Sequence, residues 1–294
     1  MNAGHLAAIT AYILWGLFPF YWKLLKAVGP FEVIWHRIVW SFLALSLGVY
    51  VSRRAIWPQW QQFRRDRRNY LASLLAAVLI GTNWLVFIWA VHHNAVVESA
   101  LGYFITPLMN VALGVLIFGE RLPRIQWLAI ALAAIGVAYL TIRLGRIPYL
   151  ALTLASSFAF YGIVKKRMSL TALPGLWLET AILLPLALSS LAWLAMTGEG
   201  RFGAIDRWTD LLIMGGGPTT AIPLLLFAYG AQRIPFSQLG LLQYIAPSIQ
   251  FLVGWLAFAE PVDPDRWLGF SCVWCGLLIF ALSVRRPRVA AATR

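Results

Sequence analysis

Four ionisable side chains lie within or at the edge of long apolar runs, where charge is expensive: His36, Arg37, Glu98 and Glu179. On insertion scales a charge costs about 2.5–3.5 kcal/mol at the centre of a spanning helix, so each must be paired, neutralised or turned inward. Arg37 carries a planar guanidinium suited to anchoring an anionic solute. It stands five residues after Glu32, roughly 7 Å along a helix, at a depth that predicts a pair with Glu98; snorkelling to the nearby interface is the competing reading. Glu179 falls deep in its own run, with no basic residue of the same run at that depth. Desolvation favours the protonated form of a carboxylate, which makes Glu179 a candidate for proton exchange, against a satisfied structural carboxylate.

Polar residues give a second signal. Ser99, Tyr103, Thr106, Asn110 and Gly114 recur at steps of three and four, one face of a helix. A later run carries Gln243, Tyr244, Gln250 and Gly254. Such stripes are costly against lipid and should face the interior, either lining a solute path or packing helices through small and polar residues. Pro107 and Pro247 fall near the middle of these runs, where each removes a backbone donor and predicts a kink. Tyr12, Trp15 and Gly16, with Phe158, Tyr161 and Gly162 in a later run, form aromatic faces able to stack flat or cationic molecules, with ordinary packing as the alternative. Asn83 and Trp84 add a polar and aromatic pair away from either end of their run.

The elements that must position these residues are membrane helices. The chain is 61% hydrophobic and 12% charged, with mean hydropathy +0.74, which excludes a soluble fold. Apolar runs cover 4–21, 32–51, 70–91, 98–118, 124–141, 148–164, 171–196, 211–230, 237–258 and 265–284. Each approaches the ~20 residues needed to cross ~30 Å of hydrocarbon, and they are too long and too uniformly apolar for barrel strands. The first run has no basic residue ahead of it and is expected to remain as a helix, not a cleaved signal. The net charge of +13 arises from Lys and Arg clustered between runs, as topology signals are and nucleic-acid surfaces are not. Sixteen of these residues fall on the side of the termini and seven on the other, which predicts both termini in the cytoplasm.

The two halves repeat. At an offset of 140, Leu101, Ile105, Pro107, Gly114, Leu116, Phe118, Glu120, Trp127, Leu128 and Gly136 match Leu241, Ile245, Pro247, Gly254, Leu256, Phe258, Glu260, Trp267, Leu268 and Gly276. An odd number of spans per unit inverts the second copy, so the expectation is an all-α protein of ten transmembrane helices: residues 1–145 and 146–286 as inverted five-helix repeats, and 287–294 as a cytoplasmic tail. Inverted repeats supply two related packings of one set of contacts, a physical basis for alternating access that channels can share.

Other chemistries lack their residues. No phosphate loop, H-E-x-x-H or G-x-S-x-G appears, so neither ATP use, and hence no ATPase subunit, nor hydrolysis is expected. Cys272 and Cys275 sit inside an apolar run and read as core packing; His92 and His93, without acidic or thiol neighbours, read as interfacial. No metal and no cofactor is expected.

The segments Ala11–Pro19, Tyr21-Trp22-Lys23, His36-Arg37 with Trp40-Ser41, Gly81–Trp84, Leu101–Leu108, Phe158–Gly162, Leu178-Glu179-Thr180 and Gln243-Tyr244-Ile245 together resemble the RarD-type permeases of the EamA group in the drug/metabolite transporter superfamily. Thr106 departs from the Asn expected before the proline. The resemblance implies a ten-helix carrier of the bacterial inner membrane with a central cavity, in a family that includes chloramphenicol-sensitive proteins. The expectation is a secondary transporter, not an enzyme, exporting small amphipathic metabolites or drugs, chloramphenicol-like or amino-acid-like, with proton exchange as the candidate coupling. Its expected pocket wall is Tyr12, Trp15, Asn83, Trp84, Tyr103, Asn110, Tyr161, Gln243 and Tyr244. A passive channel and a non-transport scaffold are the alternatives.

Overall fold

The computed structural model describes residues 2–93, 95–259 and 264–285, and within them every regular element is helical. The elements are α1 (Ala3–Leu24), α2 (Pro30–Val51), α3 (Arg53–Arg64), α4 (Arg67–His92), α5 (Val96–Phe118), α6 (Arg124–Arg143), α7 (Tyr149–Arg167), α8 (Ala172–Thr197), α9 (Arg207–Ala231), α10 (Phe236–Gln243), α11 (Ile245–Leu252), a π-helical turn (Val253–Ala257) and α12 (Pro264–Arg285). Eight helices are long and apolar enough to cross a membrane, and Trp267–Ser283 is a shorter apolar segment. The expected tail, Glu260 and the side chain of His92 lie outside the described residues.

Three departures from the sequence reading have physical causes. The basic stretch expected as a loop forms α3, whose Ile56 and Phe63 are buried one face apart from its arginines, as in a helix lying in the interface plane. The run 237–258 is one span with a break in it: α10 ends at Gln243 and α11 restarts at Ile245, where the missing amide of Pro247 leaves a gap in the ladder. Pro107, by contrast, lies inside α5 without interrupting it. Finally, Cys275 is exposed and Cys272 half-buried, so they do not form a core pair; Cys272 packs beside Gly136 between α6 and α12.

Close helix approaches follow the glycines. A Cβ on Gly276 would lie 2.6 Å from the Ala129 carbonyl, and one on Gly136 2.7 Å from the Gly269 carbonyl, so α6 and α12 meet backbone to backbone. Packing pairs α2 with α8, α5 with α10 and α6 with α12, while α1 lies on α9 as α7 lies on α4. At the end opposite the N-terminus, Asp265 binds Arg143 at 2.5 Å and accepts from the Tyr139 hydroxyl.

Asp206 caps α9, accepting from the Thr209 amide at 2.9 Å and its hydroxyl at 2.7 Å. These bonds hold its carboxyl below the ordinary value of 3.8, so the cap is present at neutral pH and lost as pH falls through that lowered value. Asp206→Ala should therefore lower the thermal midpoint at pH 7, and by less at a pH below the ordinary aspartate value of 3.8. Equal deficits at both pH values would exclude the cap.

Candidate functional site

Arg37 lies seven residues into α2, roughly 10 Å along its axis. Its guanidinium carbon stands 4.7 Å from the Trp22 ring of α1 and 5.2 Å from the Trp84 ring of α4. The Nε donates to Thr220 Oγ1 of α9 at 2.7 Å, and the Thr220 hydroxyl gives its own proton to the Gly216 carbonyl at 2.7 Å. Tyr103 of α5 is within electrostatic reach of the guanidinium. Tyr103 keeps 39% of its surface accessible, and Arg37, Trp84 and Trp15 are half-buried. One turn beyond Arg37, Trp40 holds a buried Nε1 with no acceptor among the described residues.

The remaining predicted wall residues are used differently. Tyr12 is fully buried and donates to the Leu239 carbonyl at 3.1 Å; Tyr244 is fully buried and donates to the Phe104 carbonyl at 3.1 Å. Asn110 and Gln243 bond each other at 2.8 Å across α5 and α10, leaving Asn110 Oδ1 without a partner among the described residues. Asn83 donates to the Leu154 carbonyl and to Ser157 on α7 at 2.9 and 3.0 Å. The stripes do face the interior, but at these positions the interior is another helix. The expected Arg37–Glu98 pair does not form: Glu98 binds Arg146 at 2.7 Å and the Leu150 amide at 2.9 Å. Depth along the axis matched, but the two side chains leave their helices in different directions. His36 lies 3.8 Å from Glu32 and packs on the Phe202 ring.

The end bearing the N-terminus is closed. Tyr161 stacks on Phe227 at 6.1 Å and 13°, and Phe227 also meets Tyr12, Trp15 and Phe158, forming an aromatic floor. Behind it Glu179, 1% exposed, is held by Lys165 at 2.6 Å and by the Tyr161 hydroxyl at 3.0 Å. Nearer the surface, Glu120 accepts from the Phe236 amide at 2.6 Å, the Ser237 amide at 2.8 Å and the Ser237 hydroxyl at 2.5 Å. Lys166 donates to the Ala231 and Ile234 carbonyls; partial burial pulls its ammonium below the ordinary lysine value, against the opposing effect of Glu120.

The EamA-like transporter family matches residues 2–142 and again 146–282. The chain belongs to that family. A protein RarD of Streptomyces exfoliatus is 44% identical over 97% of this chain and 90% of its own length, and a protein RarD of Escherichia coli (strain K12) is 38% identical over 95% and 94%. The chloramphenicol-sensitive protein RarD of Pseudomonas aeruginosa is 30% identical over 94% and 92%. A crystal structure 18% identical in sequence superposes with a TM-score of 0.70 over 97% of this chain and 99% of its own, which shows the shared fold. The protein is a RarD-type EamA membrane transporter, a multi-pass protein of the bacterial inner membrane.

Two structural features of this EamA transporter are not apparent from its sequence. Lys165 is fully buried, although its cluster with Lys166 and Arg167 reads as a topology signal. Glu32 accepts from the Arg201 and Phe202 amides at 2.7 and 3.0 Å, tying the α8–α9 loop over the Arg37 end. A carboxylate two residues after a proline was the available cue for the latter, but nothing in it names a partner 169 residues away.

Proposed function

We propose that this transporter is a secondary carrier exporting small amphipathic molecules by alternating access. In this reading ten passes are arranged as two inverted repeats, residues 1–145 and 146–286, with both termini cytoplasmic. The observation that carries it is Arg37, a cation without a carboxylate partner among the described residues, lying over the indoles of Trp22 and Trp84 while the end bearing the N-terminus is closed by the aromatic floor. Closure at one end is what one state of an alternating carrier requires. Two further observations support the repeats: the family match occurs twice, and the helix pairings exchange under a two-fold, α1–α9 with α7–α4.

Glu179 is the candidate for proton exchange. Protonation would weaken its pair with Lys165 and turn the Tyr161 bond, which connects a proton to the aromatic floor through the Tyr161–Phe227 stack. Glu179→Gln is expected to remove the dependence of transport on an imposed pH gradient; coupling that persists in the folded variant would take Glu179 out of that role.

The test is counterflow in proteoliposomes loaded with an unlabelled panel of chloramphenicol, phenylalanine and 3-phenylpropionate, with each labelled compound supplied outside in turn. Transient accumulation of at least one is the expected result. Flux that only equilibrates would replace the carrier by a channel, and no flux through correctly inserted protein would place the cargo outside these chemical classes.

A further inference from the structure

We propose that the cargo held at Arg37 is an organic carboxylate with a flat apolar body and no ammonium group. The proposal rests on the carrier reading above and narrows its substrate class.

The guanidinium is oriented before anything binds. Its carbon lies over the rings of Trp22 and Trp84, and the Nε edge is fixed on Thr220, whose hydroxyl proton is already committed to Gly216. What remains is the outer edge with the two terminal nitrogens, which have no acceptor among the described residues while the side chain keeps accessible surface. Two parallel N–H groups in one plane match the two oxygens of a carboxylate. A guanidinium withdrawn from water without a partner is costly, and an anionic cargo removes that cost in the occupied carrier only. The carrier would therefore favour changing state when loaded.

The same surroundings disfavour an ammonium. An α-amino acid bound through its carboxylate would place its own cation a few ångströms from Arg37, where repulsion in a partly dry site exceeds that in water. An acidic side chain would be needed to offset it, and the described candidates are engaged: Glu32 with the Arg201 and Phe202 amides, Glu98 with Arg146, Asp210 with the Gly203 amide and Glu179 with Lys165. The faces of Trp22 and Trp84, which could hold an ammonium by cation–π attraction, are taken by the guanidinium itself. Tyr103 and Trp15 remain available to a flat body.

A matched series decides this: 3-phenylpropionate, phenylalanine and 2-phenylethylamine share one body and differ in charge. Binding is measured calorimetrically on the purified full chain, and counterflow is followed for the same compounds. We expect 3-phenylpropionate to bind at least tenfold more tightly than phenylalanine and the amine not to bind. Arg37→Gln should remove tenfold or more of the 3-phenylpropionate affinity and abolish the preference. Arg37→Lys, which keeps the charge and loses the fork, should fall between. Removing an unpaired cation should not prevent folding, and the lysine variant keeps the comparison valid if it does. Phenylalanine or the amine binding as well as the anion, anion affinity unchanged in Arg37→Gln, or no binding of any of the three would overturn the proposal. Anion-selective binding without counterflow would instead remove the carrier reading and leave the site; counterflow of phenylalanine but not 3-phenylpropionate would do the reverse.

Discussion

Lys165→Met is expected to destabilise the folded bundle by about 3–5 kcal/mol, because it leaves the Glu179 carboxylate buried without its counter-charge. The pair is 2.6 Å apart with side chains 0% and 1% exposed, so water cannot take over the lost partner. Packing gives no relief: Gly175 already brings α8 against the lysine, since a Cβ there would lie 3.1 Å from the ammonium nitrogen. Removing both charges should behave differently. In Lys165→Met with Glu179→Leu, the desolvation penalty of both ions disappears, and the residual cost is the Tyr161 hydroxyl left without its acceptor, about 1 kcal/mol. Denaturant unfolding in detergent micelles measures all three proteins. A single variant as stable as the wild type, or a double variant less stable than Lys165→Met, would show that the pair does not hold α7 to α8.

The membrane class, the positions of most helices and the duplicated halves could be read from composition and spacing, because each depends on local hydropathy and on residues in sequence order. Partner choice could not. Glu179 was visible as a charge in an apolar run, but its cation comes from another helix and had been absorbed into a basic cluster at that helix's end. The stripe through Asn110 did identify an inward face; whether that face meets a solute or a helix depends on where Gly240 lets α10 approach, with a Cβ there only 2.7 Å from the Asn110 Cβ. Arg37 was singled out as a charge at the right depth, yet depth alone assigned it Glu98, because azimuth around the helix is fixed only by packing. The helix α3 was legible in principle: Ile56, Trp60 and Phe63 recur at helical spacing, but six arginines across the stretch drew the reading to a loop.

The end of the bundle bearing the N-terminus should be opened by a single change at Glu120. The left-handed Gly119, at φ 64, ends α5 and turns the next residue towards α10, where Glu120 satisfies the first two amides of a helix that has no side-chain cap of its own. Gly114 makes room for this: a Cβ there would lie 2.8 Å from the Ser237 amide nitrogen and 2.9 Å from the Glu120 carboxylate. Because α5 and α10 come from different halves of the chain, the cap is present only while the halves meet at this end. Glu120→Ala should therefore weaken the closed state by ~2 kcal/mol, the upper range for a lost cap, which raises the open fraction by about thirtyfold. A cysteine at Leu239, buried beneath the floor, reports it in a background without Cys272 and Cys275. Its labelling rate should rise by about tenfold or more in Glu120→Ala, with Glu120→Gln between the two because a neutral acceptor remains. A cysteine at Ala133, buried between α6 and α12 away from this end, serves as the control. If both cysteines become reactive together, the variant is unfolding globally; if neither does, Glu120 is not what holds the halves together, and the closure must be credited to the aromatic floor alone.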